Sequence, residues 1–268
     1  MTRLAGCPGD ALDWCRPVAS GACMRRSAWW IAGAAALMTA AAADPARAAG
    51  TAYQVDTGTV GGPGNCKVDS WMSFGANGDF FAATAPACVV DVGKPVEFSA
   101  QFSRFRSEGE WTTAILPKMK ASIVPGGAVG EWSVAIAATT AYDATARELA
   151  GFNIVIPATL RMTANSRINL NAGWLRGLNP DRDFFSYGAG VDVRTPDNVW
   201  IVTAEVFGAL GASRPDDARG ELRPRWQLGL RWRPVDAVSF DAVYGRNLLG
   251  EDANWITLAT TVRFSAGR

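Results

Sequence analysis

A strict two-residue alternation over residues 223–234, RPRWQLGLRWRP, is the feature that most limits how this chain can fold. Its large apolar side chains are Trp226, Leu228, Leu230 and Trp232, and each is separated from the next by arginine, glutamine or glycine. Because successive side chains of a β-strand point to opposite faces, one face of this strand is apolar and the other is basic. In a soluble sheet the tryptophans would be buried and the arginines wet. In a membrane barrel the tryptophans would face lipid and the arginines a lumen, and this stretch alone allows both arrangements.

The same alternation recurs along the rest of the chain and predicts about twelve strands. They cover residues 66–75, 80–91, 95–106, 110–124, 130–142, 150–163, 166–176, 183–195, 198–208, 222–234, 237–247 and 254–264. Many of these runs are longer than the five or six residues usual in soluble sheets and match the roughly 9–11 residues of a tilted membrane strand. Their polar faces are rich in Gly, Ala, Ser, Thr and Asn, whereas solvent-exposed sheet faces carry more Lys and Glu. We therefore predict an all-β fold, a closed antiparallel transmembrane β-barrel of about twelve strands.

The lengths of the connections in the second half of the chain support a barrel. Read backwards from the C-terminus, longer and very short connections alternate: 248–253, 235–236, 209–221, 196–197, 177–182 and 164–165. Outer-membrane barrels have short periplasmic turns and longer external loops. With an even number of strands, both termini fall on the side of the short turns. The first half of the chain shows no such contrast in length.

Two prolines conflict with this strand assignment. Pro117 and Pro157 lie inside the fourth and sixth predicted strands. Proline cannot donate to a ladder, and a closed barrel has no free edge on which to place it. The sequence therefore predicts bulges or strand breaks at both positions, or else a misplacement of these two strands.

The N-terminal part of the chain has the features of an export signal. Met24-Arg25-Arg26 precedes an apolar run over 29–43, and an Ala-x-Ala site follows at 46–48. This order predicts a secretory signal peptide over about 24–48. An uncleaved anchor is the alternative, although the run is shorter than the about 20 residues of a spanning helix. Residues 1–23 form a doubtful extension, because translation is expected to start at Met24.

The remaining chain divides into a lead and a barrel. Residues 49–65, which include the glycine-rich GTVGGPGN, are predicted to be a flexible lead, and 66–268 the barrel. After removal of the signal, Cys66 and Cys88 are the cysteines that remain. A hairpin centred on Asn77-Gly78 would bring them opposite each other, so an exported chain predicts a disulfide here. Two unpaired thiols are the alternative.

Composition excludes several classes of function. The chain has no histidine, which removes Ser-His-Asp and Cys-His catalysis and histidine metal sites. Its formal net charge of +1 gives no basic footprint for nucleic acid. The sequence contains no phosphate-binding loop, dinucleotide fingerprint or calcium loop. We therefore predict no enzyme activity, no catalytic residues, no cofactor, no metal and no nucleic-acid partner.

The final predicted strand, NWITLATTVRF at 254–264, resembles the last strand of Gram-negative outer-membrane β-barrels. That strand alternates apolar residues and ends in an aromatic residue, which Phe264 matches. The tail at 265–268 departs from the pattern. The resemblance implies a location in the outer membrane, contact with its lipid, and recognition of strand 254–264 by the barrel assembly machinery. The repeated strands also resemble outer-membrane transporters linked to the uptake of aromatic compounds. A twelve-stranded barrel of this size is similar to the small porins that take up acidic oligosaccharides through arginine-lined lumens.

With the indoles facing lipid, the alternation assigns an inward set of charges. The basic members are Lys118, Lys120, Arg161, Arg167, Arg194, Arg223, Arg225, Arg231, Arg233 and Arg263. The acidic members are Glu97, Glu110, Asp192, Glu205 and Asp241. As pore-lining residues we select Arg161, Arg194, Arg223, Arg225, Arg231 and Arg233, with Asp192, Glu205 and Asp241 as their lumenal partners.

The arginines lower the barrier for negatively charged solutes, so the sequence favours a passive channel for small solutes, with anions preferred. Two alternatives stay open. The charges could pair and fill the interior of a structural outer-membrane barrel with a plugged lumen. Alternatively, the chain could be an exported, soluble β-sandwich that binds a ligand.

Overall fold

The computed structural model describes residues 52–107, 109–178, 181–211, 224–249 and 254–266. Twelve strands lie within this part: β1 (Asn65–Gly75), β2 (Phe80–Asp91), β3 (Pro95–Ser107), β4 (Glu110–Val124), β5 (Trp132–Asp143), β6 (Glu148–Arg161), β7 (Ser166–Leu178), β8 (Asp181–Arg194), β9 (Trp200–Gly211), β10 (Arg225–Val235), β11 (Val238–Asn247) and β12 (Asn254–Ser265). The alternation in the sequence therefore located every one of these strands to within a few residues. The predicted signal at about 24–48 lies outside the described residues, as does the extension that precedes it. No helix among the described residues is long and apolar enough to cross a membrane.

The twelve strands form one closed barrel. Each strand is antiparallel to the next one along the chain, and β1 closes the ring by pairing with β12, from Asn65 opposite Ser265 to Gly75 opposite Trp255. The predicted fold class is confirmed. The sandwich alternative is wrong, because a sandwich has two sheets with free edges and each strand here has a partner on both sides.

The two faces of the wall follow the alternation. On β10 the side chains of Leu228 and Trp232 are 48% and 43% exposed, whereas those of Gln227 and Arg231 are 2% and 5% exposed. The same inversion holds around the ring, where large apolar side chains are exposed on the outside and polar ones are buried inside. Trp226 and Trp232 of the alternating stretch 223–234 therefore lie on the outside of the barrel.

The two strand prolines are accommodated without bulges. Pro117 lies opposite Ala100 on β3, and Pro157 lies opposite Asn171 on β7. Each proline lacks a ladder partner only on its β5 side, and the register there is the same before and after the gap. The predicted bulges or breaks at these prolines are wrong, because a strand tolerates one missing donor when its other neighbour keeps the register. The register shifts lie elsewhere, between Ser122 and Val124, between Ala141 and Tyr142, and between Trp232 and Val235.

The predicted disulfide is present on the outer face of the barrel. Cys66 on β1 lies directly opposite Cys88 on β2, with a Cα–Cα distance of 4.1 Å. Gly78 adopts a left-handed conformation in the hairpin between them (φ 85°), which glycine reaches without strain. The bridge lies near the end of the barrel at which β1 begins and β12 ends. We call this the terminal end and the opposite one the distal end.

Part of the lead lies inside the barrel. Of residues 49–65, the structure describes 52–65, and Asn65 already belongs to β1. Tyr53, Val55 and Thr57 are buried inside the barrel. Side chains and backbone groups between Tyr53 and Gly58 have partners on the lumen wall. We call residues 52–58 the lumenal segment.

Candidate lumen of the barrel

The backbone of the lumenal segment is bound by side chains of several strands. The Gln54 amide donates to a carboxylate oxygen of Glu205 on β9 (2.9 Å), and the Gly58 amide donates to Oγ1 of Thr159 on β6 (2.8 Å). Between them, the carboxamide of Asn171 on β7 is placed to accept from the Asp56 amide (2.7 Å) and donate to the Asp56 carbonyl (2.9 Å). The segment therefore crosses the lumen on side-chain supports and is not a strand of the sheet.

An ion-pair triad anchors one end of the lumenal segment. The Asp56 carboxylate accepts from the ammonium groups of Lys118 (2.6 Å) and Lys120 (2.8 Å) on β4. Burial by itself would raise the pKa of the Asp56 carboxyl, but the two ammonium charges outweigh it and hold the pKa well below its usual range. Asp56 is thus a fixed negative charge that neutralises part of the basic lumen.

The other end is held by an aromatic and charged cluster. The Tyr53 hydroxyl donates to Oδ1 of Asp241 on β11 (3.2 Å), and Arg231 on β10 donates to both oxygens of the same carboxylate (2.6 and 3.3 Å). The Arg231 guanidinium also lies 5.3 Å from the centre of the Tyr53 ring. A two-point arginine–carboxylate contact with a stacked ring has a defined geometry, so this cluster fixes the position of the tyrosine.

Small inward residues make room for the segment. A Cβ at Gly188 on β8 would lie 2.9 Å from a methyl group of Val55, and a Cβ at Gly229 on β10 would lie 2.4 Å from the Tyr53 hydroxyl. Both positions belong to the small, uncharged inward set of the sequence. The space left by these two glycines is filled by the side chains of Val55 and Tyr53.

A second paired network lies between β7, β8 and β9. The Asp192 carboxylate accepts from Arg167 (2.5 Å), from the side-chain Nδ2 of Asn169 (3.0 Å) and from the Thr203 hydroxyl (2.6 Å). All four groups point into the lumen. Asp192 is therefore fully engaged and holds Arg167 against the wall.

Arginines with fewer partners collect on the terminal side of the segment. Arg194 donates to the Asn198 side chain (3.4 Å), Arg263 donates to the Ser239 hydroxyl (3.2 Å), and neither contacts a carboxylate within the described part of the chain. Arg233 pairs with Asp236 (2.5 Å), but its Nε and Nη1 are buried without a hydrogen-bond partner. The cavity among these arginines has a volume of only about 10 Å³, so the described side chains leave little free space at this level of the lumen.

A larger cavity occupies the distal side of the segment. Its volume is about 760 Å³, and the lumenal segment forms part of its lining. The lining also includes Arg225 and residues of the distal rim such as Asn77, Asn247 and Asn254. We call this cavity the vestibule, and its size is that of a pocket for a small molecule.

The selected residues are distributed between these regions as follows. Arg194, Arg231 and Arg233 lie on the terminal side of the segment. Asp192, Glu205 and Asp241 belong to the hydrogen-bonded networks described above. Arg225 lines the vestibule, and Arg161 donates to the Gly127 carbonyl (2.9 Å) near the terminal end. Arg223 lies outside the described residues. The residues selected from the alternation thus lie at different heights inside the barrel. Of these residues, the structure brings together the arginines on the terminal side of the segment.

Sequence reasoning missed the groups that close the lumen. Tyr53 and Asp56 lie in the lead, which has no periodicity from which to predict an inward face. Lys67 and Asp69 on β1 were also missed, although they point inward and lie 3.3 Å apart. The alternation of β1 could have found this pair. Among the described residues no group of three or more potential metal ligands comes together.

Solved structures share this architecture. The chain is similar to a KdgM porin (8% identity, TM-score 0.54, covering 74% of this chain and 99% of that one) and to a NanC porin (7%, 0.56, 73% and 98%). It is also similar to the COG4313 outer membrane channel from Pseudomonas putida F1 (10%, 0.55, 76% and 96%). At these identities the likeness concerns the fold.

Sequence comparison gives a family match. No curated protein matches the chain. Residues 36–264 match the family model described as "Uncharacterised conserved protein UCP029691".

Proposed function

The chain belongs to the family described as "Uncharacterised conserved protein UCP029691", and we propose that it is an outer-membrane channel for small solutes that is closed by its lumenal segment. The closed ring, the apolar outer face and the polar interior support a position in a bilayer, where every backbone group must be paired within the protein. The signal at about 24–48 would export the chain to the Gram-negative outer membrane. Strand 254–264 would be recognised by the barrel assembly machinery, and no catalysis is proposed.

The observation that carries this proposal is the way in which the lumen is closed. The lumenal segment is bound through Glu205, Asn171 and Thr159 and through the Lys118–Asp56–Lys120 triad. None of these contacts is part of the ladder between strands. The segment can therefore leave without opening the ring, and its departure would join the vestibule to the terminal mouth.

Departure of the segment also changes the charge of the lumen. In the closed state the single Asp56 carboxylate offsets part of the charge of Lys118 and Lys120. When the segment leaves, both ammonium groups lose this counter-charge and join Arg194 and Arg263 as lumenal cations. The open channel would be more positive than the closed one, which favours anionic solutes.

A structural barrel with a plugged lumen is the second candidate. The paired networks Arg231–Asp241 and Arg167–Asp192 favour it, because they fix charges against the wall and leave them unavailable to a solute. In that case the lumenal segment would be a permanent part of the interior, and its removal would destabilise the barrel without producing a pore.

Single-channel recording in planar bilayers separates the two candidates. We expect a deletion of residues 49–58 to give larger and longer openings than the full chain, with preference for chloride over potassium. In the deletion background, Arg194→Gln with Arg263→Gln should reduce that preference. Arg176→Gln is the matched control, since Arg176 is paired with Asp183 on the outer face (2.9 Å). A deletion variant that migrates as a folded barrel but does not conduct would refute the channel and support the plugged barrel.

A further inference from the structure

A shallow groove of about 770 Å³ lies on the outer face of the barrel, across the seam where β12 meets β1. Three short side chains that are direct neighbours in register form its floor: Thr260, Ser70 and Thr84. The hydroxyls of Ser70 and Thr84 bond to each other (3.1 Å), so the floor carries a satisfied polar pair. Phe240 flanks this row on β11 and Phe102 flanks it on β3. The result is a depression between two phenylalanines in an otherwise apolar wall, and we call it the seam groove.

The next row towards the distal end contains a cation. Arg104 on β3 lies in register with Ala82 on β2 and with Thr113 on β4, and it lines the seam groove. Its guanidinium lies 4.8 Å from the centre of the Trp111 ring, on which Arg106 is also placed at 5.6 Å. Within the described part of the chain Arg104 makes no hydrogen bond or ion pair, so its N–H donors are available to a ligand.

The position of these arginines on the outside is specific. Among the described strand residues, outward-facing charges occur near the distal end, whereas the terminal half of the outer face is apolar. Arg176 is one of the distal charges, and Asp183 neutralises it. Arg104 and Arg106 both contact the Trp111 ring instead, and Arg106 also donates to the Gly78 carbonyl (3.0 Å). Two cations that contact one indole at one end of an apolar groove match an amphiphile with a phosphorylated head and several hydrocarbon chains.

We propose that the seam groove binds lipid A, the phosphorylated and multiply acylated lipid of lipopolysaccharide, in the leaflet at the distal end. Its acyl chains would lie over Ser70, Thr84 and Thr260, and a phosphate would accept from Arg104 and Arg106. Four strand spacings separate Phe240 from Phe102, about 19 Å along the wall, which is wider than a single chain needs. The groove therefore suits a lipid with several chains better than a lipid with one. The seam groove lies on the outer face, with Arg106 at the rim that it shares with the vestibule, and binding there does not require that the barrel conducts.

Native mass spectrometry of the full barrel in detergent micelles tests the site, with hexa-acylated, bis-phosphorylated lipid A as the probe. We expect one lipid per barrel to be retained by the wild type. The double variant Arg104→Gln, Arg106→Gln should weaken binding roughly tenfold through loss of charge-assisted hydrogen bonds. Thr84→Phe should weaken it by filling the floor. The matched controls are Arg176→Gln and Ala204→Phe, which make the same changes on the outer face away from the groove and should bind as the wild type does.

Heat-dependent gel migration would first verify that each variant is folded. Equal binding by the wild type and the groove variants would overturn the proposal. It would also be overturned if lipid A without phosphates bound as tightly as the bis-phosphorylated form, because the arginines would then have no role. A lipid-free dimer that is lost in Thr84→Phe would assign the groove to a second copy of the chain and would likewise refute it.

Discussion

The phenol of Tyr53 occupies the space that a side chain at Gly229 would need. A Cβ built at Gly229 would lie 2.4 Å from the Tyr53 hydroxyl oxygen and 2.6 Å from a ring carbon. Gly229 is the middle residue of the alternating stretch on β10, where every other inward position is arginine or glutamine. Gly229 leaves space for the Tyr53 ring. The ring therefore packs directly against β10 and holds the lumenal segment against the wall of the barrel.

Gly229→Ala is therefore expected to destabilise the closed state. An added methyl group must move the tyrosine or the strand, and such overpacking costs about 1–3 kcal/mol of the free energy of unfolding. Urea titration of the barrel in lipid vesicles measures this cost. In a Tyr53→Gly background the same substitution should cost much less, because its clashing partner is gone.

Gly127→Ala is the control for this comparison. Gly127 lies in the connection between β4 and β5, and a Cβ there would have no neighbour within 4 Å. We expect it to leave the unfolding free energy unchanged. If Gly229→Ala were equally costly with and without Tyr53, the contact with the lumenal segment would not be the cause, and backbone strain in β10 would be.

Asp56→Asn should release the lumenal segment. The variant removes the charge that Lys118 and Lys120 share and leaves the almost fully buried Lys120 ammonium without a carboxylate, so docking should weaken by about 1–3 kcal/mol. Thr57→Cys provides the readout, since Thr57 is fully buried and a thiol there can react with maleimide only when the segment leaves the lumen. We expect labelling to be slow when Asp56 is retained and faster when the Asp56→Asn substitution is added.

Asp91→Asn is the matched control for the release of the segment. Asp91 is an exposed carboxylate at the end of β2, where it accepts from the Gly93 amide of the following turn (3.0 Å). It has no contact with the lumenal segment, so labelling of Thr57→Cys should not change. Equal labelling rates for Asp56→Asn and the parent would mean that the triad does not hold the segment.

The Asp56 triad also predicts how closure depends on pH. The pKa of Asp56 is lowered in the docked state, so docking is favoured above the ordinary aspartate pKa of about 3.9 and is lost only as the pH falls towards the lowered value. Maleimide labelling is too pH-dependent to compare across this range, so conductance is the better measurement. We expect the full chain to remain closed from pH 7 down to about pH 4. Opening with a midpoint near pH 6 would contradict the assignment of Asp56 as the anchor.

The barrel was predictable because its determinants are local. Alternation over RWQLGLRWR states which side chains share a face, and Asn77-Gly78 with Cys66 and Cys88 states one register. Both signals come from residues on one strand or one hairpin, so they can be recognised without knowing the tertiary structure. The prediction at the prolines was wrong because their effect is not local. Whether Pro157 causes a bulge depends on whether the pairing of β6 with β5 and with β7 keeps the register across the gap.

The closure of the lumen was not predictable from the same signals. Tyr53 and Asp56 lie in a stretch without periodicity, and their partners Asp241 and Lys120 are far away in sequence. The small inward residues Gly188 and Gly229 were noticed as unusual for a solvent face, but a missing side chain does not say what occupies its space. Only the folded ring brings the segment and these glycines together.

The Cys66–Cys88 bridge lies on the strand that closes the barrel, which gives the last prediction. Cys66 is paired on one side with Cys88 and on the other with Phe264 of β12. The bridge closes a loop with a sequence separation of 22, so its loss in Cys66→Ser with Cys88→Ser should lower the free energy of unfolding by about 3 kcal/mol. Urea titration of oxidised and reduced wild-type barrels should give the same difference, which separates the bridge from the effect of serine. Because both side chains point outward, conductance and selectivity should be the same with and without the bridge. A change in conductance after reduction would mean that the bridge also shapes the lumen, contrary to its place on the outer face.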